Sequence, residues 1–292
     1  MFEILNKQIL AEDVKRVDIY APQIARKVRP GQFVSICPEE GDERIPLTVV
    51  ETDEGRSTIA LIFQEKGDTT GKLGSLPIHE SVFSILGPLG QPAKIEKCGL
   101  VVCIATGVGS AQMLPIARAY RKEGNKIIGI IGAKTKLELM LEAQMRIVSN
   151  KIFITTNDGS YERRGVVTDV LKEIIAKEKV GLIYAIGAID MMQEVVAIAK
   201  QKNIPAKVQL NPVMVDCMGM CGACRVKIAG ELILACTDGP EFDGHKVDFE
   251  DFKVRMNALK ESDKCRSHKL QHNKPTEGST ILTKFLSVFR GK

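Results

Sequence analysis

Residues 216–224 read Asp-Cys-Met-Gly-Met-Cys-Gly-Ala-Cys, and Cys236 follows after eleven more residues. Cys217, Cys221, Cys224 and Cys236 thus bring four thiols into one short segment. Thiolates grouped in this way are donors for zinc or iron. Zinc sites favour two close cysteine pairs; Cys221 and Cys224 form one, but Cys217 and Cys236 do not form another. Plant-type [2Fe–2S] sites follow C-x4-C-x2-C with a distant fourth cysteine. Counting back from Cys221 with four residues between lands on Asp216. The iron–sulfur spacing is therefore met if the first ligand is a carboxylate, giving Asp216, Cys221, Cys224 and Cys236 as the metal ligands. A harder oxygen ligand would alter the cluster potential. In the rival arrangement Cys217 reaches in and Asp216 is only its neighbour. Gly219, Gly222 and Ala223 let the backbone wrap closely and aim amides at sulfur in either case.

Such a loop needs a body to hold it. The chain has 292 residues, more than one compact domain needs, and its 44% hydrophobic content suffices for a real core. No run of about 18 apolar residues appears, and the N-terminus lacks a basic start followed by an apolar stretch. A cytoplasmic protein with no membrane segment is expected. In that compartment, clustered cysteines argue for metal ligands over disulfides. Cys37, Cys98 and Cys103 lie in apolar stretches and read as small buried hydrophobes. The net charge of +5 is concentrated at the end: residues 264–292 hold seven Lys/Arg and one Glu. The remainder is near neutral, which argues against a nucleic-acid partner.

Residues 1–96 carry short β-rich runs (FEIL, RVDIYAP, GQFVSICP, LTVVE, STIALIF, SVFSIL) between Gly-, Pro- and Asp-rich turns, the pattern of a small antiparallel barrel. From residue 97 to 210 strands and helices alternate, which predicts a doubly wound parallel sheet with helices on both faces. One of these helices is expected over 136–148 (KLELMLEAQMRIV). Residues 211–262 are Gly-rich, too small for a large core, and expected to rely on metal, with a short helix in EDFKVRMNALK. Residues 263–292 form a basic tail, expected to be flexible, in which ILTKFLSVF has amphipathic character.

Within the second region, Ala105-Thr106-Gly107-Val108-Gly109-Ser110-Ala111 follows a buried strand and opens a helix, the context of a dinucleotide loop. Gln112 stands where a third glycine would complete the usual fingerprint. Barrel, nucleotide-binding domain and cysteine loop in this order resemble the ferredoxin reductase superfamily. More narrowly, residues 1–260 resemble the electron-transfer subunits of dihydroorotate dehydrogenase, of sulfide dehydrogenase (its beta subunit) and of NADH-dependent reduced ferredoxin:NADP oxidoreductase (its small, alpha subunit). The resemblance implies FAD, NAD(H) and a [2Fe–2S] cluster as cofactors. It places the flavin on Arg44, Pro46, Leu47 and Thr48, with Arg44 on the diphosphate, and on Gly67, Thr69, Thr70 and Gly71. It places the nicotinamide nucleotide on Gly107, Gly109 and Ser110, with Ala133, Asp158, Gly187 and Met191 at the ends of later strands. Where the family often has Cys-Gly-Pro, this chain has Ile186-Gly187-Ala188. Arg163 and Arg164 suit a 2′-phosphate or are surface charges; the relatives' preference points to NAD.

His79, His245, His268 and His272 do not cluster, and no Ser-His-Asp set is visible, so no side chain is assigned a catalytic role and the hard chemistry falls to the cofactors. The resemblance implies an oxidoreductase subunit of ferredoxin–NADP reductase type. Its partner would be a larger flavoprotein with [4Fe–4S] clusters and an NADP(H) site, serving electron bifurcation with ferredoxin as an indirect partner. The alternatives are the electron-transfer subunit of dihydroorotate dehydrogenase, and a non-enzymatic regulator that binds NAD and zinc.

Overall fold

The computed structural model describes residues 2–258. Residues 1–252 form one compact unit. Of the second unit, 253–292, only 253–258 fall among the described residues, where they are helical. The basic tail expected over 263–292, with its apolar stretch, lies outside them.

Seven strands build the first sheet: β1 (Phe2–Ala11), β2 (Val14–Tyr20), β3 (Phe33–Cys37), β4 (Ile45–Asp53), β5 (Thr58–Gln64), β6 (Ser81–Val82) and β7 (Ser84–Leu89). Their order is β6-β1-β2-β5-β4-β3-β7, and neighbouring strands pair antiparallel. Only Phe83 separates the two end strands, so the chain nearly closes the sheet into a barrel, which protects its edges. Alternation fills the interior: Val17, Ile19, Val34, Ile36, Val49, Leu61 and Phe63 are buried there together. Two short helices cover openings, α1 (Pro22–Ala25) and α2 (Asp68–Ser75), the latter driving Leu73 into the core.

The second sheet contains β8 (Leu100–Thr106), β9 (Lys126–Ala133), β10 (Lys151–Thr156), β11 (Arg163–Arg164), β12 (Leu182–Ile186), β13 (Ala206–Gln209) and, further along, β16 (Glu241–Asp243). The order is β11-β10-β9-β8-β12-β13-β16, parallel except for β16. The chain winds outward from β8 to β10, then crosses back to lay β12 on the other side of β8. That reversal makes a switch point at the carboxyl ends of β8 and β12, where ligands of such sheets gather. Buried residues on both faces explain the near-continuous apolar runs of these strands. Helices α3 (Gly109–Lys122) and α4 (Glu142–Val148) cover Val101, Cys103, Ile127, Leu182 and Tyr184. Helices α5 (Val167–Lys177) and α6 (Ile189–Gln201) pack against β9, β10, β12 and β13. The single helix expected over 136–148 is instead a 3-10 turn (Lys136–Glu138) followed by α4. Met140 and Leu141 between them are buried in the core, and Leu141 takes a left-handed φ of 57° to get there. Burial outweighs local helix propensity.

The two sheets share apolar contacts. Val14, Val50 and Ile62 from the outside of the barrel join the cluster beneath α3. Beside them Glu51 accepts from Arg16 of β2 and pairs with Arg118 of α3, both at 2.5 Å. After β13 the chain forms the cysteine loop and a hairpin, β14 (Arg225–Ile228) and β15 (Glu231–Leu234). It then returns as β16 to pair antiparallel with β13, stitching the small region to the edge of the parallel sheet.

A candidate cofactor cleft and cluster loop

Arg44 immediately precedes β4. Its Nη2 donates to Ser84 Oγ at 3.0 Å, whereas Nη1 is buried with no partner. A buried guanidinium nitrogen without an acceptor is costly, and an anionic diphosphate is the kind of group that would satisfy it. Pro46, Leu47 and Thr48 lie on β4 opposite Ser35, Val34 and Phe33. Gly67 caps α2, and neither Gly67 nor Gly71 has an atom within 4 Å of where a Cβ would stand. Thr70 Oγ1 accepts from the Lys66 and Gly67 amides, both at 3.0 Å, so this hydroxyl shapes the turn. Thr69, beside it, is half-buried on the first turn.

At the switch point the structure gathers residues eighty apart in the chain. Gly109 opens α3 with no side-chain cap on that helix, and the Ser110 and Ala111 amides donate to the Gly107 and Val108 carbonyls at 3.0 Å, so this turn sets the positive end of the helix dipole at the switch point. A Cβ on Gly109 would stand 2.6 Å from the Ile186 carbonyl oxygen. On Gly187, whose φ is 150°, it would stand 2.0 Å from Thr106 Oγ1 and 3.0 Å from Met191 Cε. Thr106 Oγ1 also accepts the Ala188 amide at 3.2 Å. Both glycines are thus required by close approach, while Gly107, at φ 55°, faces open space. Ser110 Oγ is buried without a partner. Ala133 ends β9, and Asp158 lies in the loop after β10, its amide donating to the Lys134 carbonyl at 3.2 Å. Hydrogen bonds from the Ser160 amide and hydroxyl hold the Asp158 carboxyl below its ordinary range.

Two carboxylates, Glu138 and Glu173, escaped the sequence reading. Glu138 Oε2 accepts the Lys134 amide at 3.2 Å, returning a carboxylate to the end of β9. Arg163 forks onto Glu173 at 2.6 and 3.0 Å. No motif signals either pairing, since each depends on how the loops close.

In the cysteine loop Asp216 is an organising group. Its Oδ1 accepts the Met218 amide at 3.0 Å; Oδ2 accepts those of Met220 at 2.9 Å and Cys221 at 2.6 Å. The Met218 amide, with those of Cys221 and Met220, outweighs desolvation and holds this carboxyl below its ordinary range. Oδ1 keeps acceptor capacity for a cation. Amides also point at sulfur: Ala223 N lies 3.5 Å from Cys221 Sγ, and Cys236 N lies 3.4 Å from Cys224 Sγ. Cys221 is exposed, whereas Cys224 and Cys236 are buried. Burial and the neighbouring Cys224 thiol push the Cys236 thiol up to about 12. Cys217 is buried too, at φ 64°. Burial raises this thiol, Ser35 eases it, and Asp216, Cys224 and Cys221 raise it further.

Among the described residues no three His, Cys, Asp or Glu side chains converge as ligands of one ion. A two-iron cluster distributes its four ligands over two metals, and three thiols with one carboxylate, in a loop whose amides face sulfur, suit that donor set.

Residues 211–248 match the iron–sulfur cluster binding domain of dihydroorotate dehydrogenase B. A Thermotoga maritima protein described as a dihydroorotate dehydrogenase B (NAD(+)) electron transfer subunit homolog is 38% identical over 262 residues, covering 90% of this chain and 93% of its own. This chain belongs to the dihydroorotate dehydrogenase B electron-transfer subunit family. A probable electron transfer subunit from Methanocaldococcus jannaschii is 33% identical over 222 residues, 76% of this chain and 81% of its own. A solved structure of NADH-dependent reduced ferredoxin-NADP oxidoreductase, described for flavin-based electron bifurcation, contains a chain that superposes with a TM-score of 0.86. It is 36% identical and covers 93% of this chain and 98% of its own. Amycolatopsis cytochrome P450 reductase GcoB, at 19% identity, TM-score 0.60 and coverage of 70% and 66%, shares the fold. This member of the family is therefore an oxidoreductase electron-transfer subunit with a ferredoxin-reductase-like fold, which binds FAD and NAD(P), and an iron–sulfur binding domain. Among the described residues no helix is long and apolar enough to cross a membrane.

Proposed function

We propose that the chain passes electrons between NAD(H), FAD and a [2Fe–2S] cluster to a larger flavoprotein with [4Fe–4S] clusters and an NADP(H) site, as the small subunit of an electron-bifurcating NADH-dependent reduced ferredoxin:NADP oxidoreductase. The observation that carries this reading is Asp216, a carboxylate at the position the iron–sulfur spacing assigns to a first cysteine and already oriented by three amides. The 36% identity to the ferredoxin-NADP oxidoreductase chain, over nearly its whole length, supports it. When bound, the flavin exchanges hydride with the nicotinamide and electrons singly with the cluster.

The chain's own residues hold and orient these groups. Arg44 answers the flavin diphosphate, with Pro46, Leu47 and Thr48 at the ring edge and Gly67, Thr69, Thr70 and Gly71 forming the second wall. Gly107, Gly109 and Ser110 receive the nicotinamide nucleotide, and Gly187 and Met191 close the other side. Asp216, Cys221, Cys224 and Cys236 hold the cluster. NAD(H) is favoured because Arg163 is spent on Glu173 and Glu138 sets a carboxylate where a 2′-phosphate would be repelled. The cluster loop faces its partner through exposed Val213, Val215, Met218 and Met220, which flank Cys221 in the chain. Domain limits of 1–96, 97–210 and 211–262 follow from the same assignment.

Function as the electron-transfer subunit of a dihydroorotate dehydrogenase is the second reading, supported by the names of the Thermotoga and Methanocaldococcus relatives. A zinc-binding regulator has less support, because residues 211–248 match an iron–sulfur domain. The test is reconstitution with the candidate partner subunit. NADP reduction that requires NADH and reduced ferredoxin together supports the first reading; NAD reduction driven by dihydroorotate replaces it with the second.

A further inference from the structure

Cys236, one of the four assigned ligands, sits in a turn that ties it to the residues behind it. The Thr237 and Asp238 amides both donate to the Leu234 carbonyl, at 3.1 and 2.8 Å, and Asp238 Oδ2 accepts the Leu234 amide at 3.0 Å. A shift of residues 237–239 therefore carries Cys236 with it. These residues meet the segment 90–94, which leaves the barrel after β7. The Gln91 amide donates to the Gly239 carbonyl at 2.7 Å, and Gln91 Nε2 to the Thr237 carbonyl at 2.9 Å. Further along, Glu241 Oε1 accepts the Lys94 amide and pairs with Lys207 of β13, each at 3.1 Å.

The other side of the same segment grips the barrel. The Gly90 carbonyl accepts from Nε2 of buried Gln32 at 2.8 Å, and the Ala93 amide donates to the Pro30 carbonyl at 2.8 Å. Gln32 directly precedes β3, whose Phe33 is the register partner of Thr48 at the assigned flavin edge. Gly90 touches both bodies. Its φ is 73°, and a Cβ there would stand 2.8 Å from Phe33 Cε1, 3.0 Å from the Gly239 carbonyl oxygen and 3.1 Å from Pro240 Cδ. Barrel and cluster turn thus both press on the space a side chain would need. Direct contacts run from Thr48 through Phe33 and Gly90 to Gly239, three residues from Cys236.

We propose that segment 90–94 clamps the flavin barrel to the cluster turn, with Gly90, Gln91 and Glu241 as positioning residues that fix the separation of the two redox groups. The inference rests on the flavin and cluster assignments above. In the step concerned, the reduced flavin loses one electron and the oxidised cluster gains it. The rate of such a transfer falls exponentially with separation, so slack in the clamp slows it without changing either group.

The test is Gly90→Ala, which forces the clamp open by adding one methyl. The full-length protein is purified without oxygen and reduced by NADH in a single turnover, with flavin and cluster absorbance followed separately. Flavin reduction is expected to keep its rate, and iron content and the EPR spectrum of the reduced cluster to match the unaltered protein. Electron arrival at the cluster is expected to slow about tenfold, the order of cost of a misplacement under an ångström. Amide hydrogen exchange over residues 237–241 is expected to rise. A Gln91→Ala/Glu241→Ala double variant, which removes contacts without adding bulk, is expected to show the same selective slowing and serves if Gly90→Ala does not fold. Transfer at the unaltered rate, unchanged exchange over 237–241, or equal slowing of flavin reduction overturns the proposal. So does a changed EPR spectrum, which would mean that the segment shapes the cluster itself. Absence of flavin or cluster from the unaltered protein would instead be the failure of the underlying functional reading.

Discussion

The nucleotide cleft and the cysteine loop are built by different means. At the switch point the working surface is main chain: the first turn of α3 and the close crossing of Gly109 and Gly187. Side chains there mostly keep out of the way. In the cysteine loop the side chains do the organising, with Asp216 gathering three amides and Cys217 buried. A backbone-built site is broken by adding atoms; a side-chain-built site is broken by removing them.

Gly187→Ala puts that difference to its strongest test. The new methyl would meet Thr106 Oγ1 at 2.0 Å, so the end of β12 must shift away from the α3 loop. NADH-dependent flavin reduction is expected to fall about 10²-fold while the cluster spectrum stays intact. Stopped-flow kinetics checks it; a rate within threefold of the unaltered protein would count against the crossing. Asp216→Ala is the counterpart in the loop. It releases the Met218, Met220 and Cys221 amides together and is expected to alter or abolish the cluster while flavin reduction stays within about twofold.

These contrasts also explain what the sequence revealed. Backbone-built features advertise themselves through glycine spacing after a buried strand, and the alternating apolar runs specify the barrel and parallel sheet. The cysteine spacing likewise identifies its loop. Contacts made at long range leave no such mark. Nothing near Glu51 announces Arg118, and nothing near Gln91 announces Thr237. The helix expected through 136–148 failed for a related reason: Leu139, Met140 and Leu141 read as helix periodicity, but the core draws Met140 and Leu141 in by breaking it. Pairing of β16 with β13 was equally hidden, because a three-residue strand carries too little pattern.

A milder perturbation concerns the rim of the cleft, where side chains do contribute. Glu138→Gln combined with Glu173→Gln removes a carboxylate from the end of β9 and frees Arg163. The ratio of kcat/KM for NADH over NADPH is expected to fall about tenfold, or ~1.4 kcal/mol. An unchanged ratio would show that this rim does not read the 2′ position.

The smallest expected effect lies between the two sheets. Burial raises the Glu51 carboxyl, but Arg16 and Arg118 outweigh it and hold the group below its ordinary value of 4.5. Because the folded value is depressed, the stabilisation is complete above the unfolded value and is lost as the pH falls through the folded one. Glu51→Gln is expected to cost about 1–2 kcal/mol near neutral pH. The difference from the unaltered protein should shrink under acid conditions below about pH 4. Denaturant unfolding across that range checks the sign.

The most direct measurement is a paired visible and EPR spectrum of the protein purified without oxygen, beside its Asp216→Ala variant. The account predicts flavin bands in both, and a reduced [2Fe–2S] signal that is lost or altered in the variant. A colourless protein, or a cluster signal identical in the two, would contradict it.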